Sequence, residues 1–304
     1  LRASALLMRG DFAEGWAQYE FRFGASGRRS RSAGAPLWKG ESLANKSILV
    51  VSEQGVGDEI MFASCLPDLI ASCARVSLEC DPKLAALFSR SFPPALVQPR
   101  DRDHRDGAAQ AKADFEISIG SLPLHYRKGQ AAFPAARGYL RADPEKAARW
   151  RSKLAAEKQL RRIGIAWRGG TLRNRGNLRS MEAQQLLPLM RLQGCSFSSL
   201  QYGDHDAVLR ELGERAGIEI HNPAQETGAD LDELAAVISA LDLVITVDNT
   251  IAHMGGALGV PTWIMLPYSA EWRYGREPRH MPWYPSVMLF RQQSPRDWDA
   301  VVAA

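Results

Sequence analysis

The stretch DLVITVDNTIAHMGGALGVPTWIMLP, residues 242–267, decides the fold. Leu243–Val247 is a short apolar run of strand length, rich in β-branched residues. Asp248-Asn249 is its only polar step before a small-residue helix, Thr250–Leu258, which Gly259 and Pro261 end. Thr262–Leu266 is then a second apolar strand. Strand, helix and strand in so short a span make a βαβ unit, which calls for a parallel sheet covered by helices.

The same alternation extends upstream. Arg162–Trp167 reads as a strand, Arg168–Ser180 as a polar loop and Met181–Leu192 as a helix. Ser196–Gln201 is a strand, Asp204–Ala216 a helix, Ile218–Ile220 a strand and Asp230–Ala240 a helix. Downstream, Pro267–Pro285 is rich in proline and aromatics, a strand lies near Val287–Phe290, and a short helix follows Pro295. Tyr268, Trp272, Tyr274, Trp283 and Tyr284 either line a base or sugar site or pack over a domain seam.

A second α/β run lies nearer the N-terminus. Ser47–Ser52 is a strand, Glu53–Asp58 a glycine-bearing loop and Glu59–Cys73 a helix. Arg75–Cys80 is a strand and Pro82–Arg90 a helix. Ala95–Gln98 and Phe115–Ile119 are strands around a polar loop, Arg100–Lys112. Pro134–Pro144 carries turn chemistry, and Glu145–Lys158 is a helix. Before all this, Phe12, Trp16, Tyr19 and Phe23 form one aromatic stripe on a helical segment broken at Gly10-Asp11. Residues 24–46, with Arg28, Arg29 and Arg31, read as a linker or irregular cover. The expected organisation is therefore 1–46, 47–143 and 144–304. The two α/β parts have their ligand loops at strand ends, facing a cleft. A length of 304 residues fits about two domains.

Composition narrows the function classes. Hydrophobic residues make up 45% and charged residues 24%, which is globular rather than disordered. No apolar run approaches the roughly 18–20 residues of a membrane helix, and no signal peptide opens the chain, which begins at Leu1 and reads as a fragment. A net charge of +4 is too small to imply nucleic acid. Cys65, Cys73, Cys80 and Cys195 form no C-x-x-C pair and read as reduced residues of a cytoplasmic protein. The six histidines are scattered without H-E-x-x-H, so no metal site is expected.

Four loops could carry chemistry. In Glu53-Gln54-Gly55-Val56-Gly57-Asp58, the glycines let backbone approach a ligand at a helix start. Ile60 stands where a dinucleotide fingerprint needs glycine, which disfavours a nicotinamide cofactor. Asp58, at or beside the helix N-cap, is either a cap or a general base. Arg168-Gly169-Gly170, with Arg173, Arg175 and Arg179 ahead of a helix near Ser180, is a phosphate site or a solvated basic loop. Ser199–Asp204, with Gln201, holds a base or ribose or is a plain turn. At Asp248-Asn249-Thr250, free amides of a helix start would form an anion site, unless Asn249 and Thr250 serve only as caps. His253, in the first turn, is a packed residue or a catalytic one, and Gly255 and Gly256 favour close packing.

From Leu37 onward these residues together resemble the bacterial glycosyltransferases of the heptosyltransferase type, glycosyltransferase family 9, especially a subgroup fused behind tetratricopeptide repeats. The matching segments are SEQGVGDEIMFASCLPDL (52–69), RIGIAWRGG (162–170), FSSLQYG (197–203) and residues 242–267, with EWRYG (271–275) and PWYPSVMLFRQ (282–292). GDFAEGWAQYEFRF (10–23) looks like a final repeat helix. The resemblance implies a GT-B fold, two Rossmann-like domains facing a cleft, and an inverting, metal-independent transferase with a nucleotide-sugar as co-substrate and no cofactor.

By that resemblance, Asp58 falls on the family's catalytic base. Arg168, Gly169, Arg173, Arg179, Gln201, Asp248, Asn249, Thr250 and His253 lie on the donor side, and Gln54, Gly55 and Gly57 on the acceptor loop. Arginines and helix amides would offset the charge of the departing phosphate. Asn249 is an insertion in the family's aspartate–threonine element. Arginines stand where heptosyltransferases carry a lysine, which argues against an ADP-heptose donor. The repeat-like segment implies a protein acceptor, a glycan being the other class. Two other readings remain open: a non-catalytic module that binds a nucleotide or a partner, and an epimerase acting on a nucleotide sugar.

Overall fold

The first strand, Ser47–Val51 (β1), is buried along its whole length. Each such aliphatic side chain contributes about 1.5–3 kcal/mol by leaving water, so this run anchors the first sheet. The computed structural model describes residues 1–25, 34–100, 113–135, 138–155, 160–170 and 176–304. The chain divides into two units, Leu1–Ala135 and Ala136–Ala304.

The first unit opens with α1 (Arg2–Arg9), α2 (Phe12–Tyr19) and the single turn α3 (Arg22–Ala25). Gly10 ends α1 at φ 88°, a left-handed conformation glycine adopts at no steric cost. Trp16 is buried and donates its indole N–H to the Arg127 carbonyl at 2.9 Å, so α2 is docked on the α/β part. After β1 come α4 (Val56–Phe62), α5 (Leu66–Ser72), β2 (Arg75–Cys80), α6 (Ala85–Ser91), β3 (Ala95–Pro99), β4 (Phe115–Ser118) and α7 (Pro123–Tyr126). The strands lie in the order β3-β2-β1-β4, all pairs parallel.

The second unit contains α8 (Pro144–Lys153), β5 (Arg161–Ala166), the turn α9 (Gly176–Arg179), α10 (Leu187–Met190), β6 (Cys195–Ser199), α11 (Asp206–Ala216) and β7 (Ile220–His221). It continues with α12 (Ala224–Thr227), α13 (Leu231–Ser239), β8 (Leu243–Val247), α14 (Thr250–Leu258), β9 (Thr262–Leu266), β10 (Val287–Arg291) and α15 (Trp298–Ala303). Its six strands run β10-β9-β8-β5-β6-β7, again all parallel. Ile163, Ile165, Phe197, Ile245, Met265 and Trp298 meet in its core.

Two expected helices are interrupted. A 3-10 turn at Ala63–Cys65 divides the helix expected over 59–73, because Pro67 lacks the N–H that would continue the ladder. The helix expected over 181–192 is a 3-10 turn, Ala183–Leu186, followed by α10 with Pro188 in its first turn. No helix opens at Ser180; α9 ends there instead.

In an open parallel sheet, ligands bind where the strand order reverses. In the first unit that point lies between β1 and β4, and in the second between β5 and β8. The loops after β1, β5 and β8 singled out by sequence sit at these two points.

Candidate functional site

At the first switch point, Gln54 adopts φ 67° and Gly55 is extended, and α4 starts at once at Val56. Helix therefore begins three residues earlier than expected. Asp58 is not beside the N-cap but at the third helical position, where its Oδ2 accepts the Gly55 N–H at 3.3 Å. The carboxylate is half-buried and lies in the helix's first turn, where the macrodipole favours negative charge. Gly55 is the exposed N-cap and Gly57 a half-buried first-turn residue.

Next to Asp58 in sequence, Glu59 points the other way and is wholly buried. Its Oε2 accepts the Asp81 N–H at 2.8 Å, and Arg100 lies 3.7 Å from Oε1 while also reaching Asp81 and Ser52. Burial pushes the Glu59 carboxyl up to about 7 against the pull of that amide and Arg100.

Across the β1–β4 step, Glu53 Oε1 accepts the Gly120 N–H at 3.1 Å. A Cβ on Gly120 would lie 2.4 Å from the same oxygen, so glycine is what lets the loops close.

The second switch point is closed in the same way. A Cβ on Gly169 would lie 2.3 Å from the Asp248 carbonyl oxygen, and Asn249 Nδ2 donates to the Arg168 carbonyl at 3.1 Å. Gln201 is buried, and its Oε1 accepts the Trp167 and Arg168 N–H groups at 3.1 and 2.9 Å. It braces the end of β5.

Asn249 is the N-cap of α14. Its Oδ1 accepts from the amides of Ile251 at 2.9 Å and Ala252 at 3.2 Å, which is the capping role left open for Asn249 and which occupies the Ile251 donor. Thr250 is the half-buried first residue of that helix.

The charged residues here bond inward. Asp248 is 2% exposed; it accepts from Tyr274 Oη at 2.6 Å and from Arg179 Nη1 at 3.1 Å. Burial pushes this carboxyl up, but Arg273, Arg179 and the Tyr274 hydroxyl outweigh it and hold it below its ordinary value. Burial and the Asp248 charge raise Tyr274 well above the usual phenol range. His253 is buried, with Nδ1 3.0 Å from Tyr284 Oη, and stacks near Tyr274. Arg179 is thus tied to Asp248, which Tyr274 also bonds, and His253 is tied to Tyr284.

Arg168 is exposed at the end of β5. Arg173 and Arg175 lie outside the described residues. Gly255 and Gly256 behave as expected: a Cβ on either would lie 2.4 Å from Thr262 or Tyr284.

Sequence reasoning missed the partners that hold these residues. Tyr19 and Arg22 bond to the Glu53-Gln54 bend, and Tyr274 bonds to Asp248. The tyrosines were visible only as members of aromatic clusters, where a hydroxyl's partner leaves no periodic signal.

Among the described residues, no group of three or more His, Cys, Asp or Glu is placed to hold a metal ion, all four cysteines are free, and no helix is long and apolar enough to cross a membrane.

No family model matches the chain. It is 32% identical over 315 residues to Protein FlbA of Caulobacter vibrioides, covering 98% of this chain and 52% of that protein. The chain thus spans about half the length of the curated relative it matches.

Among solved structures, it is similar to the glycosyl transferase family 9 protein of Veillonella parvula. The identity is 14%, the TM-score 0.61, and the coverage 83% of this chain and 87% of that one. It is also similar to ADP-heptose LPS heptosyltransferase II of E. coli, at 15% identity and TM-score 0.57 over 82% and 92% of the two chains. E. coli heptosyltransferase WaaC with ADP matches at 13% identity and TM-score 0.53 over 84% and 97%. The chain shares the α/β fold of these glycosyltransferases, with two parallel sheets, each in its own unit.

Proposed function

We propose that the chain is an inverting, metal-independent glycosyltransferase that moves a sugar from a nucleotide-activated donor to a protein or glycan acceptor. The observation that supports this most is Asp58, a half-buried carboxylate in the first turn of the helix after β1, in a chain with the glycosyltransferase fold. Asp58 takes the proton as the acceptor O–H bond breaks. The acceptor oxygen bonds to the anomeric carbon from the face opposite the leaving group, which inverts it. The bond from that carbon to the phosphate oxygen breaks, and its electron pair leaves with the nucleotide.

On the second unit, exposed Arg168 meets the developing phosphate charge. Asp248, Arg179 and Tyr274 hold the strand ends that present it. The structures similar to this chain include one that binds ADP, so ADP heads the donor nucleotides to test. The resemblance of residues 10–23, which carry α2, to a final repeat helix supports a protein acceptor, and the four free cysteines support a cytoplasmic setting.

A non-catalytic nucleotide-binding or protein-interaction module is the second reading. It is favoured by the internal bonds that occupy Arg179, Asp248 and His253.

Thermal-shift binding of ADP, UDP, GDP, TDP and CMP separates the two, because a ligand of the folded state raises Tm. The transfer reading expects a shift with one nucleotide that is lost in Arg168→Ala. It also expects Asp58→Asn to bind that nucleotide normally while turnover falls about 10²–10⁴-fold. Nucleotide binding with no transfer in the wild type, or undiminished transfer in Asp58→Asn, overturns it.

A further inference from the structure

The bend that leads into Asp58 is gripped from outside its own loop. Tyr19, the last residue of α2, donates its hydroxyl to Gln54 Oε1 at 3.1 Å. Arg22, the first residue of α3, forks onto Glu53, with Nη2 2.5 Å from Oε1 and Nε 3.2 Å from Oε2. The same guanidinium reaches Glu20 at 2.6 Å and Ser121 Oγ at 2.8 Å, and lies over the rings of Tyr19 and Phe23. Its side chain is only 9% exposed. Burial alone would disfavour its charge, but Glu53 and Glu20 raise it above the ordinary guanidinium value.

Between the two clamped side chains sits the left-handed Gln54 backbone, at φ 67°. A non-glycine residue keeps such a conformation only where its surroundings over-determine it. Here they do. Glu53 is tied to Arg22 and Gly120, the Gln54 side chain to Tyr19, and the next residue, Gly55, donates to Asp58 itself. A buried ion pair is weak evidence for stability, but it does fix geometry.

We infer that Tyr19 and Arg22 are positioning residues: from the N-terminal helices they hold the Glu53-Gln54 bend, and through it the aim of the Asp58 carboxylate. The inference rests on the transfer reading above. It gives the helical segment a part in the reaction that does not depend on what else those helices bind.

The test uses the full chain as wild type, Tyr19→Phe, Arg22→Met and Arg22→Lys. Hydrogen exchange of the peptide covering residues 52–62 is followed beside Tm. Nucleoside diphosphate release is followed from whichever of ADP-glucose, UDP-N-acetylglucosamine or GDP-mannose the wild type consumes. Tyr19→Phe removes one hydrogen bond that holds the bend and is expected to speed exchange in this peptide about tenfold, with Tm and the rest of the first unit unchanged. Arg22→Met leaves half-buried Glu53 without its cation and is expected to lower Tm as well, with the largest rise in exchange in this peptide. A misaimed base is expected to lower kcat about tenfold or more at unchanged KM for the donor. Arg22→Lys is expected to recover part of what Arg22→Met loses. Unchanged exchange in the bend overturns the inference. So does a rise in exchange that is uniform across the first unit in Tyr19→Phe, which marks an ordinary structural contact. If the wild type consumes none of these three donors, that counts against the transfer reading alone and leaves the clamp to the exchange measurement. Exchange confined to the bend then still upholds the clamp, and unchanged exchange removes it.

Discussion

The two switch points share one construction and hold their charges differently. In each, a glycine of one loop lies so close to the facing loop that a side chain would collide, Gly120 against Glu53 and Gly169 against Asp248. In the second unit the ionised groups neutralise one another inside the fold, Asp248 against Arg179 with Tyr274 completing the set. In the first unit the cation that holds Glu53 comes from the N-terminal helices, and Asp58 is left half-buried in a helix's first turn. Asp248, just past the end of a buried strand, is thus part of the frame of one unit, and Asp58, in the first turn of a helix, stays half-buried in the other.

The largest effect that can break this contrast is expected from Asp248→Ala. It leaves Arg179, whose side chain is 13% exposed, without its carboxylate, and should cost about 3–5 kcal/mol in chemical denaturation. A loss below about 1 kcal/mol would mean that Asp248 is not part of the frame.

Glu59 sharpens the contrast within the first unit. Folded, its carboxyl keeps a proton up to about pH 7; its ordinary value is 4.5. Between those values the folded chain binds more protons than the unfolded one, so this group's contribution to stability falls as pH rises from 4.5 to 7. Glu59→Gln stays neutral throughout. It is expected to flatten that part of the Tm–pH curve and to exceed the wild type by about 1–3 kcal/mol at pH 8. Parallel curves for the two proteins would show that Glu59 is ionised in the fold.

Gly169→Ala forces a methyl group into the 2.3 Å gap to the Asp248 carbonyl. It is expected to cost about 1–3 kcal/mol, measured as a shift in the urea midpoint at unchanged slope. The smallest stability effect is expected from Asp58→Asn, about 0.3–1 kcal/mol for a carboxylate in a helix's first turn. A penalty at Asp58 as large as that at Asp248 would erase the distinction between the two aspartates.

Most strands and long helices were legible because their signal is local. Leu243–Val247, Thr250–Leu258 and Thr262–Leu266 have the bounds that apolar runs and glycine stops imply. The helix breaks near Pro67 and Pro188 are written in the prolines, but their rank against the surrounding apolar pattern is not. Asp58 was found as a candidate, yet its place in the helix depends on the backbone angle of Gln54, and that depends on Tyr19, 35 residues away. The inward turn of Arg179, Gln201 and His253 was hidden for the same reason. An arginine beside a strand end looks identical in sequence whether it awaits a phosphate or already holds a carboxylate 69 residues further on.

The central place of β5 bears on how the chain is made. It is the first strand of its unit to leave the ribosome, and one of its two neighbours, β8, follows only after about 80 further residues. At about 5–20 residues per second, one hydrogen-bonding edge of an apolar strand therefore stays open for roughly 4–16 seconds of synthesis. Parallel pairing offers no hairpin to cover that edge sooner. Truncation before residue 243 should therefore leave the second unit prone to aggregate through β5.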